Sequence, residues 1–426
     1  MRNKLRICLS TLAVSIAVAL NMVGCTKVES PTLYNPGLGN GPQPVVDSLS
    51  PEGSALAGID TLTIYGKNFL TNLDSDQVSF LNYTTKAFSY YGYGYSPIIS
   101  ASPTKIVLKA PAISGDTIQV RVSVIGAANF SPVYSYKLIA AITPFSNLPT
   151  ATGDNAYGIC TGPDSNLYVS ISNATLGTKD KGIFRITSDG TVAASPYALS
   201  TTGNVDWPFI KFGPGNFIYA SKGVRAIYRL SQGTSSTAWA PVPSGAFSDF
   251  DFDPNHNLWA GWSVTVNGVP SYGIYRIKTD ASTKLFPFTG SVGSVRYYNG
   301  YLYFVSNPGS GPNKVYRAPL VNDSLGTPEV YFDLAEDPAG GNNIYAITFS
   351  ADGDLFVATE ATDYLLVVHP GGAIDKPYSL YVSGKVLNSP CKSFAWIGQN
   401  LFASTATFGI LKIVARKQGA PYYGIQ

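Results

Sequence analysis

Asn166-Leu167-Tyr168-Val169-Ser170 is the stretch that decides the fold, because close copies of it return five more times along the chain. The copies are Phe217-Ile218-Tyr219-Ala220-Ser221, Asn257-Leu258-Trp259-Ala260-Gly261, Tyr301-Leu302-Tyr303-Phe304-Val305, Asp354-Leu355-Phe356-Val357-Ala358 and Asn400-Leu401-Phe402-Ala403-Ser404. Their anchors, Leu167, Ile218, Leu258, Leu302, Leu355 and Leu401, stand about 40 to 53 residues apart. After each anchor comes a second word, such as Gly182-Ile183-Phe184-Arg185-Ile186, Gly273-Ile274-Tyr275-Arg276-Ile277 or Gly409-Ile410-Leu411-Lys412-Ile413. Short strand-like words at this period, with no helical pattern between them, mean radially arranged four-stranded sheets. The reading is an all-β chain whose larger part is a six-bladed β-propeller.

Composition agrees. The chain has 426 residues, with 42 Gly and 29 Pro against 13% charged residues, and 28 Tyr and 21 Phe; this is a turn-rich globular protein and not a disordered one. A net charge of +3 without basic runs gives no electrostatic footprint for nucleic acid, so that partner class is excluded.

Residues 1–24 read as a signal peptide. Arg2, Lys4 and Arg6 are followed by a mostly apolar stretch from Ile7 to Leu20, too short to span a bilayer comfortably, and then by Met22-Val23-Gly24-Cys25. This end resembles a bacterial lipobox, which implies a mature protein lipid-modified at Cys25; an ordinary secretory signal is the alternative. Residues 25–43, rich in Pro and Gly, read as a flexible tether. Thr26-Lys27-Val28-Glu29 loosely resembles the export signal of Bacteroidota surface lipoproteins, which implies an outer-membrane lipoprotein exposed at the cell surface. Cys160 and Cys391 remain; their offsets from the repeat anchors differ by about 10 Å of strand, so buried free thiols are expected rather than a disulfide.

Residues 44–138 follow another grammar: Pro44-Val45-Val46, Thr61-Leu62-Thr63-Ile64-Tyr65-Gly66-Lys67-Asn68-Phe69, Lys105-Ile106-Val107-Leu108-Lys109-Ala110-Pro111, then a long alternating strand from Asp116. Alternating strands bounded by turn residues predict a small β-sandwich. These words resemble the IPT/TIG immunoglobulin-like family, which implies a spacer or interaction module, with Gly66 and Asn68 shaping a turn and Phe69 plugging the core. Its oddity is Tyr90-Tyr91-Gly92-Tyr93-Gly94-Tyr95. Tyrosines on a glycine-rich loop offer large contact area at low entropic cost, so Tyr90, Tyr91, Tyr93 and Tyr95 form a secondary binding loop, or else pack against neighbouring structure.

Residues 139–426 form the propeller. Gly158-Ile159 followed by Leu167-Tyr168-Val169 resembles the recurrent word of NHL and gluconolactonase-like propellers, although the Asp that often follows in NHL repeats is absent. Two segments are able to close the ring: Ile142-Thr143-Pro144-Phe145 or the C-terminal Pro421-Tyr422-Tyr423-Gly424-Ile425. In antiparallel blades with strands A to D from the axis outward, the D-to-A and B-to-C connections share one face. They include the varied stretches 172–181, 261–272, 306–313 and 335–343, and variable loops on a rigid scaffold carry binding residues.

The gluconolactonase resemblance implies a divalent cation held at the axis by a Glu, Asn side chains and an Asp. Here the inner strand starts carry one carboxylate, Asp249, beside the cation Lys392, so no metal, cofactor or catalytic residue is expected. His256, His369 and the Glu360–Asp363 pair read as solvated turn residues. Binding has more material: Trp207, Trp262 and Tyr272, with Asp206, Asp249, Arg225 and Arg296 nearby, make the candidate ligand site, since flat rings beside carboxylates suit carbohydrate. Core packing is the alternative for both tryptophans, while Trp239, Trp259 and Trp396 read as core. The whole arrangement resembles cell-surface lipoproteins of Bacteroidota. The expected function is non-catalytic binding of a polysaccharide or oligosaccharide, with an outer-membrane transporter or another envelope protein as further partner. The alternatives are an interaction scaffold in an envelope complex and a lactonase-like hydrolase.

Overall fold

The computed structural model describes residues 41–424 apart from 147, 149, 174–179, 200–205, 308, 338–340, 361–363, 380, 382–386, 388 and 406–408. Cys25, the signal peptide and most of the tether therefore lie outside the described residues.

The first part is a two-sheet sandwich. One sheet has four strands in the order Val45–Ser50, Thr61–Lys67, Lys105–Lys109, Ser100–Ser102; the other has five, Ser54–Leu56, Tyr134–Ile139, Gly115–Val124, Asp76–Asn82, Phe88–Tyr91. Strand alternation supplies the core: along Asp76–Asn82 every second residue is buried, and Val78 and Phe80 face Leu62, Ile64 and Ile106. Phe69 is buried against them. Gly66 is required there, because a Cβ would stand 2.0 Å from the Val45 carbonyl oxygen and 2.4 Å from the Phe69 ring. Asn68 takes the left-handed turn at φ 64° and donates from Nδ2 to the Gln43 carbonyl at 2.8 Å.

Six radial sheets follow. Their inner strands, Asp154–Thr161, Phe209–Gly213, Ala246–Phe252, Val295–Tyr298, Ile344–Phe349 and Cys391–Ile397, touch one another in sequence and the last returns to the first. The second strands, Leu167–Asn173, Phe217–Ser221, Leu258–Val266, Tyr301–Ser306, Leu355–Thr359 and Asn400–Thr405, carry one anchor each, and every anchor is 0% exposed. Neighbouring blades cover both faces of these strands, which is why they read as continuous apolar runs. Burying each anchor contributes roughly 1.5–3 kcal/mol. Outer strands such as Glu329–Asp333 face solvent and are more polar.

The recurrent Arg of the second word also has a use. Arg229 lies 4.2 Å from the Trp239 ring centroid, and Arg317 lies 5.3 Å from that of Tyr331 while pairing with Glu329 at 2.7 Å, so each fastens its strand to the blade's outer strand.

Ring closure uses the N-terminal candidate. Ile142–Pro144 pairs with Gly409–Val414, Ile142 standing opposite Ile413, and so becomes the outer strand of blade six. The C-terminal segment is not a strand: it crosses the face of the A-to-B turns, where the Gln418 carbonyl accepts from the Ala351 N–H at 2.8 Å and the Ala420 N–H donates to the Phe349 carbonyl at 3.0 Å.

Sandwich and propeller meet at a polar knot inside an apolar seam. The Tyr381 hydroxyl donates to the Ala57 carbonyl at 2.8 Å and accepts from the Ala141 N–H at 2.6 Å, Leu56 packs into the core of blades five and six, and Arg416 pairs with Asp60 at 2.9 Å. Replacing Tyr381 by Phe leaves two buried backbone groups unpaired, so urea unfolding of Tyr381→Phe should show about 1–3 kcal/mol less stability. An unshifted midpoint would mean that the knot contributes nothing.

Candidate functional site

Four of the six inner strands are bulged. Pairing with the second strand slips between Ala156 and Ile159, Phe247 and Phe250, Ile344 and Ala346, and Cys391 and Ser393. Bulges re-aim side chains. In blade three the slip turns Asp249 toward blade four, where its Oδ2 accepts from Arg296 at 2.6 Å, the Ser294 hydroxyl at 3.0 Å and the Val295 N–H at 3.1 Å. Asp251, two residues on, accepts from the Tyr297 N–H at 2.8 Å and stands 4.0 Å from the Lys211 ammonium.

Burial alone would raise the Asp249 carboxyl, but Arg296, Lys211 and the backbone donors outweigh it and hold its pKa below the ordinary value. For Asp251 burial wins over Lys211 and Arg296, and the pKa rises. Burial likewise lowers the Lys211 ammonium, with Arg296 adding to the effect. Asp249 and Arg296 were expected together in a ligand site, and the structure does bring them together. They are an internal ion pair, 3% and 7% exposed, that ties blade three to blade four.

Trp207 does lie on the connection that leads into Phe209–Gly213, whereas Trp262 lies in a strand, and both indoles are buried. Trp207 is 0% exposed and wedged between blades one and two, its ring 5.3 Å from Tyr228; its carbonyl accepts from the Gly158 N–H at 3.1 Å, a close approach that any Cβ on Gly158 would obstruct at 2.7 Å. Trp262 is 7% exposed, lies in the strand Leu258–Val266, donates from Nε1 to the Ser244 carbonyl at 2.9 Å and packs on Tyr275. Trp259 is 0% exposed, as expected of a core residue; Trp239 and Trp396 are partly buried against neighbouring cores.

The stretch 261–272, expected as a loop, is a projecting hairpin. The strands Leu258–Val266 and Val269–Ile277 turn at Asn267-Gly268, both with positive φ, and half-buried Tyr272 lies within the second strand. Asn-Gly between β-branched residues is the signal that identifies such a turn. On this loop face an open groove remains, lined by Tyr157, half-buried Asp206, Phe209 and Lys222. The Asp206 Oδ1 has no hydrogen-bond partner there, and the Lys222 ammonium rests 4.7 Å above the Trp207 ring. Arg225 is exposed in the B-to-C turn of blade two.

The exposed rings lie in the sandwich. Tyr91 is buried against Phe80, and Tyr93 is half-buried at φ 30°. Half-buried Tyr90 and exposed Tyr95 have ring centroids 5.2 Å apart, and Phe88 extends the row at 5.5 Å from Tyr90. Phe88 is 65% exposed and Tyr95 58%. Phe88 was not singled out from the sequence, although strand alternation over Phe88-Ser89-Tyr90-Tyr91 places it on the face of Tyr90 and opposite that of Tyr91.

The histidines are not merely solvated. The His256 ring hydrogen-bonds the Tyr423 carbonyl at 3.1 Å, and His369 meets Asp354 at 2.8 Å. Glu360 accepts from Asn342 and Asn343, while Asp363 lies outside the described residues. Cys160 and Cys391 are buried free thiols, pushed by burial up to about 12. Among the described residues no group of three or more His, Cys, Asp or Glu side chains is able to hold a metal ion, and no helix is long and apolar enough to cross a membrane.

An immunoglobulin-like sandwich followed by a six-bladed propeller with a charged channel defines the class of this chain. Residues 44–137 match the IPT/TIG domain family. No curated protein matches the chain in sequence. Among solved structures the chain is similar to an auxiliary nutrient binding protein from Bacteroides ovatus, at 12% identity over 89% of this chain and 99% of that one, with a TM-score of 0.46. It is also similar to virginiamycin B lyase from Staphylococcus aureus, at 16% identity over 71% and 93% with a TM-score of 0.42, and to a gluconolactonase from Xanthomonas campestris, at 12% over 62% and 86% with a TM-score of 0.43. At these identities and TM-scores none of them assigns a ligand or a reaction to this chain.

The burial of Trp262 has a measurable consequence. Trp262→Ala should lower the stability of the folded protein by roughly 3–5 kcal/mol as a cavity opens in blade three. A melting temperature equal to wild type would return the indole to the surface.

Proposed function

We propose that this protein is a non-catalytic cell-surface lipoprotein, anchored through Cys25, that binds a polysaccharide or its fragments. The observation that carries the reading is the row Phe88, Tyr90 and Tyr95, in which half-buried Tyr90 stands between two rings that face solvent, on a chain whose other aromatic side chains are mostly buried. Exposed aromatic faces lose water at little cost and present flat apolar surface to the C–H face of a sugar ring. Seated on a strand rather than a free loop, Phe88 and Tyr90 are also preorganised, so little entropy is lost on binding. The loop-face groove beside Asp206 and Lys222 is a second contact for a long chain, with Tyr157 and Phe209 adding ring surface.

The lipobox-like Met22-Val23-Gly24-Cys25 supports the anchor, and an outer-membrane transporter is the natural recipient of captured glycan. The alternative reading, a protein scaffold in an envelope complex, is favoured by one feature: Phe88–Tyr91 is the last strand of its sheet, and an open edge beside apolar rings accepts a strand from another protein.

A glycan screen with the soluble chain from Thr26 separates the two. A retained polysaccharide should lose about 1–3 kcal/mol of affinity on Tyr90→Ala and again on Phe88→Ala, with the melting temperature nearly unchanged in Phe88→Ala because that ring is already largely in water. Full affinity in the double variant would remove these rings from the site, and retention of no glycan would favour the scaffold.

A further inference from the structure

We propose that the half of the central channel nearest the A-to-B turns is a second ligand site, completed by the C-terminal segment, and that it takes a neutral polyol about the size of a monosaccharide. A cavity of about 250 Å³ lies there, lined by Thr161, Lys211, Asp251, Phe349, Trp396 and Tyr422 among others. That is a little below the roughly 300 Å³ at which drug-sized pockets begin.

The walls carry an unfinished pair of polar groups. Asp251 is 5% exposed, and its Oδ1 has no hydrogen-bond partner, although its carboxylate already accepts from the Tyr297 N–H. Lys211 is 8% exposed, and its Nζ stands 4.0 Å from that Oδ1, beyond hydrogen-bond reach. Buried polar atoms are nearly always paired, so an unpaired acceptor beside an ammonium that meets it only as a 4.0 Å ion pair asks for an occupant. Two adjacent hydroxyls meet the demand: one donates to Asp251 and its neighbour accepts from Lys211.

Charge selects against ions. Lys211 and Arg296 offset Asp249 and Asp251, and Arg296 is already engaged by Asp249 at 2.6 Å. A net-neutral constellation has no preference for an anion or a cation, whereas a polyol matches it group for group. Phe349, Trp396 and Tyr422 add ring surface for C–H groups. The Trp396 indole is held in place by its Nε1 donating to the Thr348 hydroxyl at 3.0 Å.

The C-terminal segment forms one wall. Gly419 lies flat on the Trp396 indole, where a Cβ would stand 2.4 Å from the ring, and the Tyr422 hydroxyl donates to the Phe212 carbonyl across the channel. The site sits on the face opposite the loop groove and in a different domain from the Phe88 row, so it does not rest on either.

The test uses D-glucose, D-galactose and myo-inositol, each titrated into the chain from Thr26 and followed by saturation-transfer NMR and calorimetry, with sodium acetate as the anion control. At least one polyol should bind in equimolar ratio, and Asp251→Asn and Lys211→Met should each weaken it about tenfold or more. Tyr90→Ala should leave this binding unchanged; a loss there would place the polyol on the sandwich and overturn the channel site. Binding by none of the three, binding that survives both channel substitutions, or acetate binding in their place also overturns the proposal. Should either variant fail to fold, wild-type crystals soaked in the same polyols decide the matter: a ring between Lys211 and Asp251 supports the site, and water alone overturns it. Loss of polysaccharide affinity in Tyr90→Ala is read separately and bears only on the sandwich.

Discussion

The pairing of Ile142–Pro144 with Gly409–Val414 is the constraint on which the rest depends. A propeller buries each second strand only because blades flank it on both sides, and the first and last blades have two such flanks only in a closed ring. Closure joins the start of the propeller to its end, so the inner strands meet as a circle and enclose a channel. It also places Ala141 where the Tyr381 hydroxyl accepts its N–H while donating to Ala57, and the sandwich is thereby fastened to blades five and six. Because this strand comes from the N-terminal side, the C-terminal segment is released from the sheet and free to wall the channel.

One of the channel's four charges is aimed by a bulge. Asp249 would point elsewhere on a regular strand; the slip between Phe247 and Phe250 delivers it to Arg296 and to the N–H of Val295. Burying four charges is costly unless each is paired and hydrogen-bonded. Asp249 and Arg296 meet that condition, whereas Asp251 and Lys211 meet it only in part. The difference between the two pairs separates a strut from a site.

Aromatic residues divide along the same line. In the propeller they are mortar: Trp207 and Trp259 are fully buried, and Tyr298 stacks on Phe349 with ring planes 4° apart. In the sandwich Phe88 and Tyr90 lie on the last strand of a sheet and Tyr95 on the loop beyond it, with Phe88 and Tyr95 open to solvent. A binding reading therefore moves from the indoles of the loop face to the phenyl and phenol rings of the first domain.

The period of the anchors was enough to set blade number, because a buried strand must be apolar wherever it recurs and each copy marks one blade. The grammar of Thr61 to Phe69 likewise identified the sandwich, since Gly66 and Phe69 fit only where backbone and ring approach closely. Lone aromatics were not legible in that way. Trp262 reads equally as a loop platform or a core plug, and its burial depends on Ser244, Phe247 and Tyr275, which reach it from neighbouring strands and turns. Asp249 and Arg296 were legible as neighbours but not as a strut, because a one-residue slip between strands leaves no mark in composition or spacing. Local pattern thus determined the strands and their number. Tertiary structure decided which segment closed the ring, which rings met water and which charges were left unpaired, because all three depend on partners far away in the chain.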